Sequence, residues 1–132
     1  METPRNPVTF TADEVAYLHA QPLGRLATLG PGGQPFNAPV AFDFDERLGV
    51  IWISGSTMAS TAKYRNVLRN PKVAFVVDDV LSMDPWQPRG ITMRGVATAL
   101  DADSAAGRAR GGRAVIRITP LRVVSWAVNS SA

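Results

Sequence analysis

The sequence contains no cysteine, and His19 is the single histidine among its 132 residues. Without cysteine the chain has neither a disulfide framework nor a thiolate metal site, and one histidine cannot form a multi-histidine metal site. We therefore expect no bound metal. A Ser-His-Asp triad would have to use His19, which lies near the end of a predicted helix and is best explained as a polar residue there.

Long apolar runs and clusters of basic residues are also missing. No stretch of about 18 apolar residues occurs, so no transmembrane helix is expected. Residues 1–7 are polar and proline-rich and lack the apolar core of a signal peptide, which favours a cytoplasmic protein. The net charge of +3 suits an anionic small molecule as partner, whereas the lack of a Lys/Arg run or a basic helix speaks against nucleic acid.

The length of the chain and its turn-forming residues predict one domain with many turns. A chain of 132 residues fits one domain, which we place at residues 11–127, between an N-terminal arm (1–10) and a frayed C-terminal tail (128–132). Ten prolines and eleven glycines indicate many turns and short strands. The order of helix, three strands, helix, three strands lacks regular βαβ alternation and favours an antiparallel barrel with two small helices.

Two helices are predicted. Thr11 and Glu14 have the spacing of a capping box, so the first helix begins at Thr11, and Gln21-Pro22 ends it. The second helix covers residues 60–69 and ends before Asn70-Pro71. The residues expected to face inward are Val15, Leu18 and His19 in the first helix and Tyr64, Val67 and Leu68 in the second.

Six strands are predicted, at residues 24–30, 34–44, 50–54, 72–78, 89–99 and 113–126. The strand at 72–78 is almost continuously apolar and should be covered on both faces. The last strand should be interrupted at Pro120. The predicted loops are a hairpin turn at residues 30–33, a loop at 79–88 and a mobile, glycine-rich loop at 100–112.

Residues 53–66 form the stretch with the clearest binding chemistry. It passes from the end of an apolar strand through a Ser/Gly/Thr turn into a helix, where the first amides have no helical partner and favour an anion. Lys63 adds a full charge, and hydroxyl groups come from Ser56, Thr57, Ser60 and Thr61. This pattern indicates a phosphate cradle, although an N-capped surface helix with a solvated basic face uses the same residue types.

Two prolines and a tryptophan suggest further binding surface. Pro35 and Pro39 cannot donate to a strand ladder, so the strand at 34–44 should have an open or bulged edge where a ligand could lie; an ordinary edge strand explains the pattern equally well. Trp86 lies between Pro85 and Pro88, which suggests either a lid on a pocket or an anchor in an interface.

Several motifs, in this order, resemble one known family. They are Leu23-Gly24-Arg25-Leu26-Ala27-Thr28-Leu29, Pro39-Val40-Ala41-Phe42, Ala62-Lys63-Tyr64-Arg65-Asn66-Val67, Asn70-Pro71-Lys72-Val73-Ala74, Pro85-Trp86-x-Pro88-Arg89-Gly90, Arg94-Gly95 and Ile118-Thr119-Pro120-x-Arg122-Val123-Val124-Ser125-Trp126. The sequence resembles the pyridoxamine-phosphate-oxidase-like split β-barrels, and within them it looks closest to the deazaflavin (coenzyme F-420)-dependent oxidoreductases of actinobacteria.

The resemblance implies a mainly β fold, a six- to seven-stranded antiparallel split β-barrel of the FMN-binding type, assembled as a homodimer with a cofactor at the subunit interface. It implies that the cofactor phosphate lies at Thr57, Ser60, Thr61 and Lys63. It implies that the ring system lies along Asn37, Ala38, Pro39, Val40 and Ala41 and along Ile53, Ser54 and Gly55. Candidates from the partner subunit are Asp78, Asp79, Trp86 and Arg89.

The implied activity is hydride transfer between coenzyme F-420 and an organic small-molecule acceptor. The resemblance carries over no catalytic residue, because the cofactor does the chemistry in such proteins. An FMN-dependent enzyme of the same fold and a non-catalytic flavin- or deazaflavin-binding protein are the alternatives. Four arginines (Arg65, Arg69, Arg89 and Arg94) could hold the anionic tail of the deazaflavin or could simply pair with Asp78, Asp79 and Asp84. Ala127 stands where many relatives have glycine.

Overall fold

The computed structural model of the protein describes residues 8–129, so the predicted arm at 1–7 and the end of the tail at 130–132 lie outside the described residues. Within them the chain forms three α-helices: α1 (Ala12–Ala20), α2 (Ala62–Arg69) and α3 (Ala105–Ala109). The strands are β1 (Gly24–Leu29), β2 (Pro35–Val40), β3 (Asp43–Asp45), β4 (Val50–Ser54), β5 (Lys72–Met83), β6 (Trp86–Leu100) and β7 (Val115–Trp126).

The seven strands form one antiparallel sheet in the order β2-β1-β5-β6-β7-β4-β3. This sheet curls around a core to which most of the strands contribute, with Leu26, Phe75, Ile91 and Ile116 almost completely buried. The predicted split β-barrel is therefore confirmed. None of the helices within residues 8–129 is long and apolar enough to cross a membrane.

The capping box of α1 is confirmed. The Thr11 hydroxyl accepts from the Glu14 amide at 3.1 Å, and Glu14 Oε1 accepts from the Thr11 amide at 2.9 Å. The buried residues of α1 are Glu14, Tyr17 and Leu18, and Val15 is half-buried. His19 was expected to face inward, and this prediction is wrong: its ring stays exposed beside Phe44, where Nε2 lies 3.3 Å from Glu46 Oε1.

The predicted strand at residues 34–44 is two strands. The ladder stops after Val40, and Phe42 turns inward against Phe75, with the ring centroids 5.3 Å apart. Because of this break, β2 pairs with β1 at one edge of the sheet and β3 pairs with β4 at the other. Pro35 and Pro39 lie on the edge strand β2, where the missing N–H groups cost no ladder bond on the open side.

The predicted loop at residues 79–88 is also wrong, because β5 and β6 continue through it as a hairpin with a turn at Asp84 and Pro85. Trp86 pairs with Met83 in this ladder, and its side chain is 61% exposed, so it is not a core residue.

Strand β5 alternates between buried and half-buried residues along its apolar part. Its Val73, Phe75 and Val77 are buried, whereas Ala74 and Val76 are half-buried. Within the single chain, the prediction of two covered faces is therefore wrong. The opposite face of this strand carries apolar side chains that the chain itself leaves partly open.

The alternation predicted for β6 is confirmed, whereas β7 runs through Pro120 as one strand, with a bulge in place of the predicted break. The inward residues Ile91, Met93 and Ala97 are buried. The ladder between β6 and β7 shifts its register at Gly95, which lies opposite Pro120, and leaves Leu121 as the extra residue of a bulge.

The segment predicted as a mobile loop at residues 100–112 contains α3. Ser104 caps this helix by accepting from the Gly107 amide at 2.9 Å, and the Gly107 carbonyl accepts from the amides of Arg110 and Gly112. Gly111 and Gly112 have φ values of +83° and +73°, which a side chain would strain. These local bonds explain why small and polar residues form an ordered segment here.

One prediction about the packing of α2 is wrong. Leu68 was expected inside, yet it is 64% exposed, and Asn66 takes the buried position on α2. The buried side-chain amide has a hydrogen-bond partner, because Asn66 Nδ2 donates to Thr28 Oγ1 at 3.0 Å. In the predicted frayed tail, Val128 packs against the main core.

Candidate cofactor site

A cavity of about 190 Å³ lies where the ends of β2 and β4 meet the start of α2. It is lined by Pro39, Val40, Ala41, Ile53, Ser54, Gly55, Thr57, Met58, Thr61 and Lys63. All of these residues except Met58 were assigned to the cofactor from the sequence. The structure therefore brings the strand segment at 39–41 and the cradle stretch at 53–63 together at one place.

Local hydrogen bonds build the turn between β4 and α2. The buried Met58 anchors a short 3₁₀ helix, Met58–Ser60, and Thr61 follows as the N-cap of α2. The Thr61 hydroxyl donates to the Met58 carbonyl at 2.7 Å and accepts from the Tyr64 amide at 3.3 Å. The Ser60 hydroxyl donates to the Thr57 carbonyl at 2.9 Å, and Ser60 does not line the cavity. The hydroxyl protons of Ser60 and Thr61 are therefore used in hydrogen bonds within the turn.

The remaining groups around the cavity suit a phosphate. Lys63 is half-buried and brings a cation, and the amides of Ala62 and Lys63 are the first two of α2, where no helical carbonyl can accept from them. Among the described residues that line the cavity, none is acidic. A Cβ at Gly55 would have no neighbour within 4 Å, so the backbone there is open to close approach. The residues present therefore fit a phosphate group.

The other predicted cofactor residues lie outside this cavity. Asn37 is exposed and Ala38 half-buried on the edge strand β2. Asp78 forms an ion pair with Arg25 of the neighbouring strand β1. Trp86 and Arg89 line a second cavity of about 260 Å³, together with Leu81, Gln87, Pro88 and Ala127. The two cavities share no lining residue.

Arg89 belongs to a polar cluster with Asp79 and Tyr17. Its Nε donates to Asp79 Oδ1 at 2.8 Å and its Nη2 donates to Oδ2 at 3.1 Å, while the Tyr17 hydroxyl donates to Asp79 Oδ1 at 2.8 Å. The hydrogen bonds from Arg89 hold the pKa of the Asp79 carboxyl below its usual value. Burial, followed by the hydrogen bond to Asp79, raises the pKa of Tyr17. The guanidinium also lies 5.0 Å above the centre of the Tyr17 ring.

Two of the other arginines considered for an anionic tail contact their own helix region. Arg65 Nη1 donates to the Ser60 carbonyl at 2.7 Å, and Arg69 Nη2 donates to Asn66 Oδ1 at 2.8 Å. Arg89 pairs with Asp79, as expected if these arginines form ion pairs with nearby acidic residues instead of holding an anionic tail. Arg94 is exposed on β6.

Sequence reasoning missed Met58 in the cavity and Tyr17 in the polar cluster. Met58 had a signal, because it is the one large apolar residue in the polar stretch at 54–61. Tyr17 had none, because its partner Asp79 lies 62 positions away along the chain.

The chain belongs to the pyridoxamine 5'-phosphate oxidase family, whose pattern it matches over residues 10–127. It is 45% identical to the 5a,11a-dehydrotetracycline/5a,11a-dehydrooxytetracycline reductase of Streptomyces rimosus subsp. rimosus over 119 residues, which cover 90% of this chain and 84% of that one.

Solved structures share the fold at lower identity. A conserved hypothetical protein from Mycobacterium tuberculosis superposes with a TM-score of 0.69 at 24% identity, covering 95% of this chain and 89% of that one. A structure described as an F420 reductase superposes with a TM-score of 0.62 at 24% identity, covering 83% of this chain and 94% of that one.

Proposed function

We propose that this protein is a coenzyme F-420-dependent oxidoreductase that transfers a hydride between the deazaflavin and an organic acceptor. The observation that carries the proposal is the convergence of Lys63, the first amides of α2 and the strand segments at 39–41 and 53–55 on one cavity. Membership in the family and 45% identity to a reductase support an oxidoreductase.

Different residues of the cavity bind the phosphate and the ring system of the cofactor. Lys63, the amides at the start of α2 and the Thr57 hydroxyl hold the phosphate, and Thr61 acts through the turn that its hydroxyl stabilises. The ring system then lies along Asn37 to Ala41 and along Ile53 to Gly55. When bound, the reduced deazaflavin supplies the hydride. The protein supplies position and charge, because none of the described residues that line the cavity is a histidine, acid or tyrosine that could move a proton near neutral pH.

We infer the class of acceptor from the relative. The name of the Streptomyces rimosus enzyme describes reduction of a dehydrotetracycline, in which a carbon–carbon double bond becomes saturated. An organic acceptor with a reducible carbon–carbon double bond is the corresponding proposal for this chain.

We also propose that the protein is a homodimer. The outer face of the sheet contains an apolar cavity of about 490 Å³, larger than either of the other two. It is lined by Ala27, Thr28, Leu29, Pro35, Lys72, Val73, Ala74, Arg94, Gly95, Val96 and Leu121. An apolar face of this kind at the centre of a sheet is the surface that a second copy would cover, and a stable interface should bury more than roughly 1,000 Å² in total. Light scattering at micromolar concentration that shows a monomer would contradict this proposal.

Equilibrium titration with coenzyme F-420 and with FMN tests the cofactor and the role of Lys63. Lys63→Ala should weaken binding roughly tenfold to a hundredfold, because a charge-assisted contact to phosphate is lost. Arg108→Ala is the matched control: it removes the same charge from an exposed position on α3 and should leave affinity unchanged. An unaffected Lys63→Ala protein would make Lys63 an ordinary solvated cation.

The same titrations separate the alternatives. Tighter binding of FMN than of coenzyme F-420 at physiological salt, together with peroxide production from pyridoxamine phosphate, would favour the FMN-dependent enzyme. Tight deazaflavin binding without reduction of any acceptor that has a carbon–carbon double bond would favour a non-catalytic carrier.

A further inference from the structure

The segment at residues 101–114 packs on the outer side of β4. Leu100 and Val115 pair directly in the ladder between β6 and β7, so the segment leaves and re-enters the sheet at neighbouring positions. Leu100 and Ala106 pack against Val50, Trp52 and Val115, and these residues form a small second core on the other side of the sheet from the main one. Compact loops with adjacent ends and their own packing are often functional.

Arg110 connects this segment to two strands at once. Its guanidinium lies 4.4 Å above the centre of the Trp52 ring, and its Nη1 donates to Asp43 Oδ2 at 3.2 Å. Asp43 and Trp52 lie directly opposite each other in the ladder between β3 and β4. The Arg110 side chain is 25% exposed and Trp52 is 8% exposed, so the contact with the ring is partly shielded from water, whereas the Asp43 side chain is 72% exposed.

The two residues that Arg110 contacts flank the walls of the 190 Å³ cavity. Asp43 follows Ala41 by two positions, and Trp52 precedes Ser54 by two positions. Ala41 and Ser54 both line the cavity. We propose that Arg110 is a positioning residue, which sets the spacing between the wall at 39–41 and the wall at 53–55 without touching the ligand. The inference rests on the proposed function in that the ligand is a phosphate-bearing flavin or deazaflavin.

The strand β3 needs such support. It has three residues, it lies at the edge of the sheet, and β4 is its one neighbour among the described strands. Short edge strands open locally at low free energy. The wall at 39–41 contains the end of β2, at the far edge of the sheet, and the chain continues from it directly into β3. If β3 separates from β4, this wall loses its fixed distance from Ser54 and Gly55.

Fluorescence reports whether the contact exists in solution. Trp86→Phe and Trp126→Phe leave Trp52 as the single tryptophan of the three in the chain. In this background, Arg110→Ala should shift the emission of Trp52 to longer wavelength, because the indole becomes hydrated. Arg110→Lys should restore part of the change, since it keeps a cation over the ring, and Arg108→Ala should leave the emission unchanged.

Affinity reports whether the contact positions the cavity. In the protein with all three tryptophans, equilibrium titration with FMN and with coenzyme F-420 should show binding about fivefold to twentyfold weaker in Arg110→Ala. Arg110→Lys should recover part of this loss, and Arg108→Ala should stay within about twofold of the wild type. Circular dichroism checks that the variants fold. If Arg110→Ala does not fold, Asp43→Asn removes the ionic part of the contact and should still weaken binding measurably.

The outcomes separate the two proposals. Unchanged affinity in Arg110→Ala beside a shifted Trp52 emission would make the contact a support of the loop alone and would overturn the inference. Unchanged emission would show that the contact is absent in solution and would overturn it as well. A wild-type protein that binds neither cofactor overturns the proposed function and the positioning role together, whereas wild-type binding with an unaffected variant overturns the positioning role alone.

Discussion

Replacing Asp79 with asparagine should destabilise the attachment of α1 to the sheet. The Asp79 carboxylate accepts two hydrogen bonds from Arg89 and one from the Tyr17 hydroxyl of α1. The side chains are 31% exposed for Asp79 and 17% for Arg89, so water screens the pair only in part. An asparagine keeps one acceptor oxygen and loses the charge, so the ion pair between residue 79 and the Arg89 guanidinium is lost.

The expected loss is about 2–3 kcal/mol of unfolding free energy. This is at the lower end of the losses expected when a buried ion pair is broken, because some water reaches this pair. For a domain of this size that corresponds to a fall of roughly 6–12 °C in the melting temperature. Chemical denaturation followed by circular dichroism measures it. Asp103→Asn is the matched control, because Asp103 is exposed and should change the stability by less than about 0.5 kcal/mol.

The pH dependence provides a second test of the same ion pair. Hydrogen bonding from Arg89 lowers the pKa of Asp79 in the folded protein. A lowered folded pKa contributes stability that is fully present above the unfolded value of about 3.9 and is lost as the pH falls through the folded pKa. The stability difference between wild type and Asp79→Asn should therefore be constant from pH 7 to about 5 and shrink below about pH 4. A difference that is absent at pH 7, or that persists unchanged in acid, would refute the reasoning.

Two further substitutions test backbone features of the cavities. Ala127 has a φ of +56°, so Ala127→Gly should remove a strain of about 1–2 kcal/mol and cost about 0.4–1 kcal/mol in unfolded-state entropy, for a net gain of up to about 1.6 kcal/mol in urea denaturation. A loss of stability would contradict the strain. Thr61→Ala removes the N-cap of α2 and should cost about 1 kcal/mol, whereas Thr61→Ser should cost little because the hydroxyl remains. Equal losses in the two variants would contradict the capping role.

The parts of the site that sequence analysis found are those that lie close together along the chain. Strand β4 has the predicted bounds, and the turn and helix that follow it put Thr57, Thr61 and Lys63 around one cavity. Capping residues, small residues and the end of an apolar run carry this information locally. The strand segment at 39–41 was assigned through the family resemblance, and no local pattern brings it to the same place.

The features that sequence analysis missed depend on contacts between distant residues. Arg110 and Asp43 are 67 positions apart along the chain, Tyr17 and Asp79 are 62 positions apart, and neither pair leaves a periodic signal. The break at Ala41 and Phe42 was missed because alternation predicts a strand but does not predict which neighbour it pairs with. The hairpin at 79–88 was missed because two prolines outweighed the strand pattern around them.

Because Lys63 and Trp86 are separated within one chain, the proposed dimer leads to a testable prediction. In one chain these residues line different cavities, so they can serve one cofactor together only if a second copy supplies Trp86. Lys63→Ala and Trp86→Ala subunits should then each bind coenzyme F-420 weakly as homodimers. In a two-fold dimer that contains one subunit of each kind, one site has both substitutions and the other has neither. After mixing, random exchange of subunits should restore about one quarter of the wild-type high-affinity sites, measured by titration. Variants that both bind weakly and recover nothing, although mass spectrometry shows that subunits have exchanged, would show that Lys63 and Trp86 do not meet across the interface.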